Sequence, residues 1–283
     1  MDTRRHTRIT PEWHTWIGEA LAAGSAPAEL LTTMRENDFD EAAARTAIAD
    51  ALFGGPATRA APAWHTPGSR LAEGHVLRTS DRDVRVLLRI ARPTIAVLDG
   101  VLDDAECEGM IEQARSRLAR SAVVSPESGA NTVMGIRTSE GAFFQRGENP
   151  LVLRIDRRAA EIMRLPHEHG EGLQVMRYGV GGEYVPHFDY FPPDQKGSEP
   201  HLAQGGQRVS TLIMYLADVE AGGETIFPRI DFSYVPRKGQ ALYFEYTDAD
   251  GSLDVLSLHG GAPVTQGEKW IVTKWMRQRS FVG

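Results

Sequence analysis

Apolar side chains near the start of the chain recur at helical spacing and predict three short helices. The first helix begins at Pro11, directly after the capping residue Thr10, and ends before a glycine. The second begins at Pro27, and the third follows Asp40, whose side chain suits a helix N-terminus. We therefore predict a small all-α unit over residues 1–54. The apolar positions of its helices are Trp13, Trp16, Ile17, Ala20 and Leu21, then Leu30, Leu31 and Met34, then Ala44, Ala47, Ile48, Ala51 and Leu52.

The rest of the chain alternates polar and apolar positions in short runs and predicts a β-rich domain. Residues 55–74 are rich in proline and glycine and are predicted to form a linker. Two helices, at about 103–119 and 149–163, precede most of the strands, and loops rich in Gly, Ser and Pro are expected at 122–141 and 190–207. The predicted strands lie at 75–79, 84–90, 94–98, 172–178, 183–189, 208–217, 223–227, 240–246, 254–259 and 269–277.

Many short strands with glycine-rich turns, preceded by helices, are typical of a sandwich or a jelly-roll barrel with helices packed on one side. The pattern predicts the α+β class, with residues 75–283 as one domain. The sequence contains no internal repeat.

The charge and the cysteine content limit the classes of protein to which this chain is expected to belong. Residues 1–92 carry 12 basic and 12 acidic groups, so the net charge of −7 belongs to residues 93–283. An acidic domain is unlike a nucleic-acid binder, and no apolar run approaches the length of a membrane span, so we expect neither partner. The single cysteine, Cys107, excludes an intrachain disulfide framework and fits a reducing cytoplasm. The first ten residues lack an apolar stretch, so we expect no signal peptide.

A candidate metal site centres on His187 and Asp189. Side chains two apart in a strand point to the same side, so these two converge. The pattern alone is weak, because His169-Gly170-Glu171 repeats it in a polar loop where we expect no metal ligand. His259 adds a third ligand, and Lys269 follows it at the start of the last strand. Two imidazoles and a carboxylate suit a non-haem Fe(II) site with open positions, and a hydrolytic zinc site is the alternative. Zinc chemistry does not require a nearby lysine.

Three segments carry a family resemblance: LQVMRYGVGGEYVPHFDYF, QRVSTLIMYLADVEAGGETIFP and HGGAPVTQGEKWIVTKW. Together they resemble the catalytic domain of the prolyl 4-hydroxylase branch of the 2-oxoglutarate/Fe(II) dioxygenases, over about residues 93–283. The resemblance implies a double-stranded β-helix (jelly-roll) core. It also implies that His187, Asp189 and His259 are the iron ligands and catalytic residues.

The resemblance further assigns the residues around the iron. Lys269 would pair with the distal carboxylate of 2-oxoglutarate, and Tyr178 and Thr211 would hydrogen-bond that same carboxylate. Tyr184, Trp275 and Arg277 are the substrate-binding candidates, and ordinary packing or a solvated charge is the alternative for each.

The resemblance implies a hydroxylase that uses Fe(II), 2-oxoglutarate and dioxygen (O2), releases succinate and CO2, and takes ascorbate as reductant. Its expected substrate is a prolyl residue of a protein or peptide. A free amino acid or a natural-product intermediate is the second interpretation, and a non-catalytic binding or sensing module is the third. A nucleic-acid demethylase of the AlkB type is disfavoured by the acidic charge. We expect the N-terminal helices to bind a partner or a second copy of the chain.

Overall fold

The structure, a computed structural model, describes His6 and residues 9–53, 69–120, 123–124, 131–132, 138–247 and 252–282. Contacts divide the chain into two compact units, residues 1–63 and 64–283. Most of the predicted linker lies outside the described residues. Its last part belongs to the second unit, because Leu71 is buried there and the Arg70 guanidinium lies 2.9 Å from the Glu245 carboxylate.

The first unit contains the three predicted helices: α1 (Pro11–Ala22), α2 (Pro27–Glu36) and α3 (Glu41–Phe53). Asp40 caps α3 as predicted, its carboxylate accepting a hydrogen bond from the Ala43 amide at 3.1 Å. Side chains from all three helices form a separate apolar core that includes Ile17, Leu30, Met34 and Ile48. The apolar positions that recur at helical spacing therefore pack against one another within this unit.

The second unit begins with a hairpin and a third strand, followed by helices α4 (Asp104–Arg115) and α5 (Pro150–Met163). Helix α6 (Glu199–Ala203) and three short 3-10 helices, His167–His169, Lys196–Ser198 and Val255–Ser257, lie in later connections. The strands are β1 (Val76–Arg78), β2 (Asp83–Ile90), β3 (Ile95–Asp99), β4 (Ala119–Arg120), β5 (Val123–Val124), β6 (Asn131–Thr132), β7 (Glu140–Phe144), β8 (Leu173–Tyr178), β9 (Tyr184–His187), β10 (Arg208–Tyr215), β11 (Ala221–Gly222), β12 (Thr225–Phe227), β13 (Phe232–Tyr234), β14 (Ala241–Glu245), β15 (His259–Gly261), β16 (Val264–Gln266) and β17 (Lys269–Arg277).

Two antiparallel sheets build the body of this unit. The larger has the order β1-β2-β3-β14-β10-β17-β8-β7-β4, and the smaller has the order β13-β12-β15-β9. One apolar cluster joins the sheets to each other, with Ile213 and Ile271 of the larger sheet packed among residues such as Phe227 of the smaller. The alternate residues Leu212 and Val272 join a second cluster with the helices. Both faces of the larger sheet are therefore buried, and the arrangement is the predicted double-stranded β-helix.

Helices α4 and α5 cover the outer face of the larger sheet. The Asp103 carboxylate caps α4 by accepting from the Glu106 amide at 2.9 Å, and Asn149 caps α5 by accepting from two amides at 3.0 Å. Pro150 occupies the first turn of α5, where a missing N–H costs nothing. In the described part of the chain, no helix combines the length and the apolar character needed to cross a lipid bilayer.

The predicted strand at 269–277 agrees with β17, whereas the predicted strand at 254–259 is wrong. Val255–Ser257 forms a 3-10 turn, because the Asp254 carboxylate accepts from the Leu256 amide at 2.9 Å and closes the backbone there. Only His259 from that stretch enters a strand, β15. The expected loop at 190–207 also contains two helical turns, including α6.

A buried ion network fixes α5 to α4 and to the β1–β2 hairpin. Arg158 of α5 is 1% exposed, and its guanidinium lies 2.7 and 2.8 Å from the Glu106 carboxylate and 2.5 Å from that of Asp81. A further N–H of Arg158 donates to the Val101 carbonyl at 2.7 Å. Glu106 is 3% exposed, so its negative charge depends on these contacts.

We predict that Arg158→Leu lowers the free energy of unfolding by about 3 kcal/mol or more, because it leaves the buried Glu106 carboxylate without its main partner. Arg154→Leu is the matched control, since Arg154 also contacts Glu106, at 3.1 Å, but is 54% exposed. Its loss is expected to stay below about 1 kcal/mol. Urea unfolding of both variants measures the difference, and equal losses would contradict the assigned role of Arg158.

Candidate active site

The pairing of β9 with β15 brings two histidines face to face. In this antiparallel pair His187 lies opposite His259, and their ring centroids are 4.5 Å apart. Asp189 follows two residues after His187. Its two carboxylate oxygens lie 3.7 Å from Nε2 of His187 and 3.6 Å from Nε2 of His259. One ligand atom from each of the three side chains lies within 4.8 Å of the others.

Backbone carbonyls fix the orientation of both imidazoles. Nδ1 of His187 donates to the Val185 carbonyl at 2.9 Å, and Nδ1 of His259 donates to the Ser257 carbonyl at 3.0 Å. A carbonyl only accepts, so the proton of each neutral ring lies on Nδ1. The Nε2 lone pairs are then free on the side of Asp189. Hydrogen-bonded imidazoles with this tautomer are typical of metal ligands.

Charges in the cluster keep Asp189 ionised. Burial by itself raises the pKa of this carboxyl, but His259, His187 and Arg208 outweigh it and hold the pKa far below its usual range. Burial also lowers the pKa of His259 to about 4, although Asp189 opposes the shift. At neutral pH the His259 imidazole is therefore uncharged. Two imidazoles and one carboxylate form a donor set that fits a divalent metal such as Fe(II).

The triad lines a cavity of about 770 Å³ inside the barrel. Alternate residues of β17 form one wall of it: Lys269, Ile271, Thr273, Trp275 and Arg277. This two-residue period is that of a β-strand, in which alternate side chains point to the same face. Since eight residues of strand extend about 26 Å, Lys269 and Arg277 lie towards opposite ends of this wall.

Lys269 is a buried cation without a carboxylate partner among the described residues. It is 4% exposed, and its ammonium donates only to the Thr225 hydroxyl, at 3.4 Å. Burial lowers its pKa to about 8, and the more distant Glu224 opposes the shift. A β-carbon on Gly261 would lie 3.6 Å from this ammonium, so Lys269 reaches over the strand that carries His259. A free buried cation facing a cavity is suited to an anionic ligand.

The position of Thr211 differs from the one expected. Its hydroxyl donates to the Asp189 carboxylate at 2.7 Å and does not lie beside Lys269. The reason is register: Thr211 pairs with Trp275, which is six residues, or about 20 Å, from Lys269 along β17. The hydroxyl beside Lys269 belongs to Thr225, which sequence reasoning missed. Tyr215 supports it through a 2.8 Å hydrogen bond between the two hydroxyls.

The two tyrosine candidates both line the cavity. Tyr178 pairs with Lys269 in the β8–β17 register, and the Lys269 ammonium lies 5.8 Å from its ring centroid. Tyr184 stacks on His187 with ring centroids 3.6 Å apart. The first therefore belongs to the lysine end of the cavity and the second covers a candidate metal ligand.

The other end of the cavity contains Trp275, Arg277 and two residues that sequence reasoning did not select. Arg277 lies 2.7 Å from the Glu171 carboxylate, and Arg208 donates to both oxygens of the same carboxylate at 2.7 and 2.8 Å. Glu171 lies in the predicted loop and outside the triad, but its side chain is buried at 6% exposure between two guanidiniums. The His169 ring is hydrogen-bonded to the Arg277 carbonyl at 3.2 Å, and neither His169 nor Glu171 belongs to the triad.

Comparison with known proteins gives consistent results. A model of the 2OG-Fe(II) oxygenase superfamily matches residues 173–277, which contain every triad residue and Lys269. The chain is 41% identical over 203 residues to probable prolyl 4-hydroxylase 3 of Arabidopsis thaliana, covering 65% of this chain and 69% of that one. It is 38% identical over 212 residues to prolyl 4-hydroxylase 2 of Arabidopsis thaliana, covering 68% and 69%.

A solved structure is similar as well. The viral collagen prolyl hydroxylase of Paramecium Bursaria Chlorella virus-1, in its 2OG complex, is 30% identical, with a TM-score of 0.51. The superposition covers 65% of this chain and 95% of the viral one. The described β-rich unit thus has the same fold as a solved enzyme.

We predict that Thr211→Val weakens Fe(II) binding about 10- to 100-fold, because it removes the hydrogen bond that orients the Asp189 carboxylate. Thr273→Val is the matched control, since this buried threonine lines the same cavity and its hydroxyl has no described partner. Metal titration under anaerobic conditions measures both affinities. Equal affinities for the two variants would show that Thr211 does not orient the ligand.

Proposed function

Since the chain belongs to the 2-oxoglutarate/Fe(II)-dependent oxygenase superfamily, alongside proteins named prolyl 4-hydroxylases, we propose that it hydroxylates a prolyl residue of a protein or peptide. The reaction converts 2-oxoglutarate and dioxygen to succinate and CO2 and adds one oxygen atom to the substrate. The observation that carries this proposal is the cavity with the three candidate ligands His187, Asp189 and His259 and the unpaired buried Lys269.

Four residues are proposed to bind the metal and cosubstrate. His187, Asp189 and His259 hold Fe(II), which supplies the oxidative chemistry when it is bound. Lys269 binds the distal carboxylate of 2-oxoglutarate as a compact cation. The separation supports this, because Lys269 lies over Gly261, which is two residues or about 7 Å along β15 from His259. A five-carbon dicarboxylate can span that separation. Tyr178 and Thr225 complete the lysine end of the cavity.

Three further residues are proposed to contact the substrate. Tyr184 covers one face of His187 and limits the approach to the metal on that side. Trp275 lines the cavity, and its indole N–H has no hydrogen-bond partner among the described residues. Arg277 lies two residues further along the same face of β17. A buried donor without an acceptor is costly, so a bound substrate is expected to supply one.

The cellular location, the reductant and the partners of the protein are proposed as well. A cytoplasmic location is supported by the single cysteine, Cys107, which is buried and whose pKa burial raises to about 11. Ascorbate is proposed as the reductant on the strength of the family resemblance. We also propose that the N-terminal helices bind a partner or a second copy of the chain. The acidic charge of residues 93–283 supports a substrate other than nucleic acid.

The test is coupled turnover. We predict that the protein with Fe(II), 2-oxoglutarate and a panel of proline-containing peptides forms succinate and adds one oxygen atom to a prolyl residue, located by peptide mass mapping. His187→Ala is expected to abolish both products because a ligand is lost. His169→Ala is the matched control and is expected to remain active, because its ring lies outside the triad.

Two outcomes would contradict the proposal. Activity in His187→Ala but not in His169→Ala would mean that the metal site is elsewhere. Oxygen transfer to a free amino acid or another small molecule, and to no peptide, would support the same mechanism but contradict the proposed peptide substrate.

We predict that 2-oxoglutarate affinity is constant below about pH 8 and falls above it, by up to about tenfold per pH unit. The pKa of Lys269 is lowered to about 8 by burial, so above this pH the free protein has lost the ammonium proton that the carboxylate requires. A bound carboxylate raises this pKa, and binding above pH 8 therefore takes up a proton. Binding of 2-oxoglutarate to the Fe(II)-loaded protein without oxygen measures the profile.

Lys269→Arg and Lys269→Ala separate this titration from other pH effects. The arginine variant keeps its charge to above about pH 12, so its affinity is expected to be independent of pH between 7 and 10. The alanine variant is expected to lose about ten- to over a hundred-fold in affinity at pH 7. A wild-type decline that persists unchanged in both variants would assign the titration to another group.

A further inference from the structure

The end of the cavity away from Lys269 contains more positive than negative charge. Arg208 and Arg277 share a single carboxylate, that of Glu171, through contacts of 2.7 to 2.8 Å. Among the described residues that line the cavity, only Glu171 and Asp189 are acidic. The Asp189 carboxylate faces His187, His259 and Thr211 and is assigned to the metal. Within the described part of the chain, one guanidinium charge therefore has no counter-charge of its own at this end.

The two guanidiniums are fixed in position at the cavity wall. Arg277 is 2% exposed, and one of its terminal nitrogens donates to the Gly206 and His201 carbonyls at 2.7 and 3.2 Å. The guanidinium carbons of Arg208 and Arg277 lie 4.9 and 4.8 Å from the ring centroid of Phe191. Arg208 also donates to the backbone carbonyl of Asp189 at 3.3 Å. Immobilised guanidiniums suit recognition of a planar anion.

The two arginines differ in how fully their charge is compensated. Burial lowers the pKa of Arg208, but Glu171 and Asp189 outweigh it and raise the pKa above its usual value. Burial lowers the pKa of Arg277 and the neighbouring Arg208 lowers it further, although Glu171 opposes both. Beside them, the indole N–H of Trp275 has no acceptor in the described structure. Donors and positive charge thus face the same end of the cavity.

We infer that this end of the cavity binds a carboxylate of the substrate, so that the target prolyl residue either ends in a free carboxylate or is followed by an acidic side chain. The inference rests on the proposed function and specifies its substrate. A single excess positive charge matches a carboxylate, which carries one negative charge. A phosphate group would bring up to two and reverse the imbalance. The backbone contact of Arg208 with Asp189 places the bound carboxylate close to the metal ligands.

The test compares probes that differ only in charge. N-acetyl-L-proline and N-acetyl-L-prolinamide represent a free carboxylate on the target residue. The amidated dipeptides N-acetyl-Pro-Glu and N-acetyl-Pro-Gln represent an acidic side chain after it. Calorimetric titration into the full chain, loaded with Fe(II) and 2-oxoglutarate without oxygen, gives four dissociation constants. We expect the charged member of one pair to bind at least about tenfold more tightly than its neutral partner, and that pair identifies the source of the carboxylate.

Two variants test the assignment to this charge cluster in opposite directions. Arg277→Gln removes the excess charge and should reduce the preference to about twofold or less, and Arg277→Lys should restore part of it. Glu171→Gln removes the shared counter-charge and should increase the preference. Because the two substitutions act in opposite senses, general loss of folding cannot reproduce the result, and Glu171→Gln remains informative if Arg277→Gln does not fold.

Equal binding within both pairs, or no binding of any probe, would overturn the inference. A preference that Glu171→Gln leaves unchanged or reduces would overturn it as well. These failures are distinct from failure of the proposed function, which is measured separately as oxygen transfer to prolyl peptides. A protein that hydroxylates charged and neutral peptides equally well would keep its function and lose only this specificity.

Discussion

The two-residue period of β17 is the constraint on which the cavity depends. All nine residues of this strand are buried, because it lies between β10 and β8 with one face against helices and the other inside the barrel. Its inner face therefore presents Lys269, Trp275 and Arg277 to a single cavity. A shift of the strand register by one residue would turn Trp270, Val272 and Lys274 towards the cavity. It would turn Lys269 and Arg277 away from the cavity. The hydrogen-bonded register of β17 thus determines which residues line the cavity.

The smaller sheet positions the histidines of the triad. The pairing of β9 with β15 places His187 opposite His259, while Asp189 lies just beyond the strand and reaches both rings. Each ring is oriented by a backbone carbonyl, so the positions of these groups depend on main-chain structure more than on neighbouring side chains. Thr211 adds the contact from the larger sheet. The triad is therefore held where the two sheets face each other.

Local pattern was sufficient to predict the groups whose spacing along the chain carries their geometry. The convergence of His187 and Asp189 depends on their spacing of two residues, and the structure shows it, although Asp189 lies just beyond β9. The position of Thr211, the role of Thr225 and the ion pairs of Glu171 depend on which strands are neighbours and in which register. Glu171 and Arg208 are 37 residues apart in sequence, and no local pattern relates them. The turn at Val255–Ser257 was missed because an Asx-type contact overrode the strand pattern of its apolar residues.

The two lysines of β17 differ in how their buried charge is compensated within the protein. Lys274, on the outer face, is fully buried and contacts the Asp156 carboxylate and the Glu171 carbonyl, so its charge is compensated within the protein. Lys269, on the inner face, has only a hydroxyl contact. Removing a partner from a buried ion pair costs about 3–5 kcal/mol, and an unpaired buried ammonium carries a penalty of the same kind. The fold tolerates that penalty at Lys269 where a ligand can offset it. The same reasoning applies to Arg208 and Arg277, which share one carboxylate at the far end of the wall.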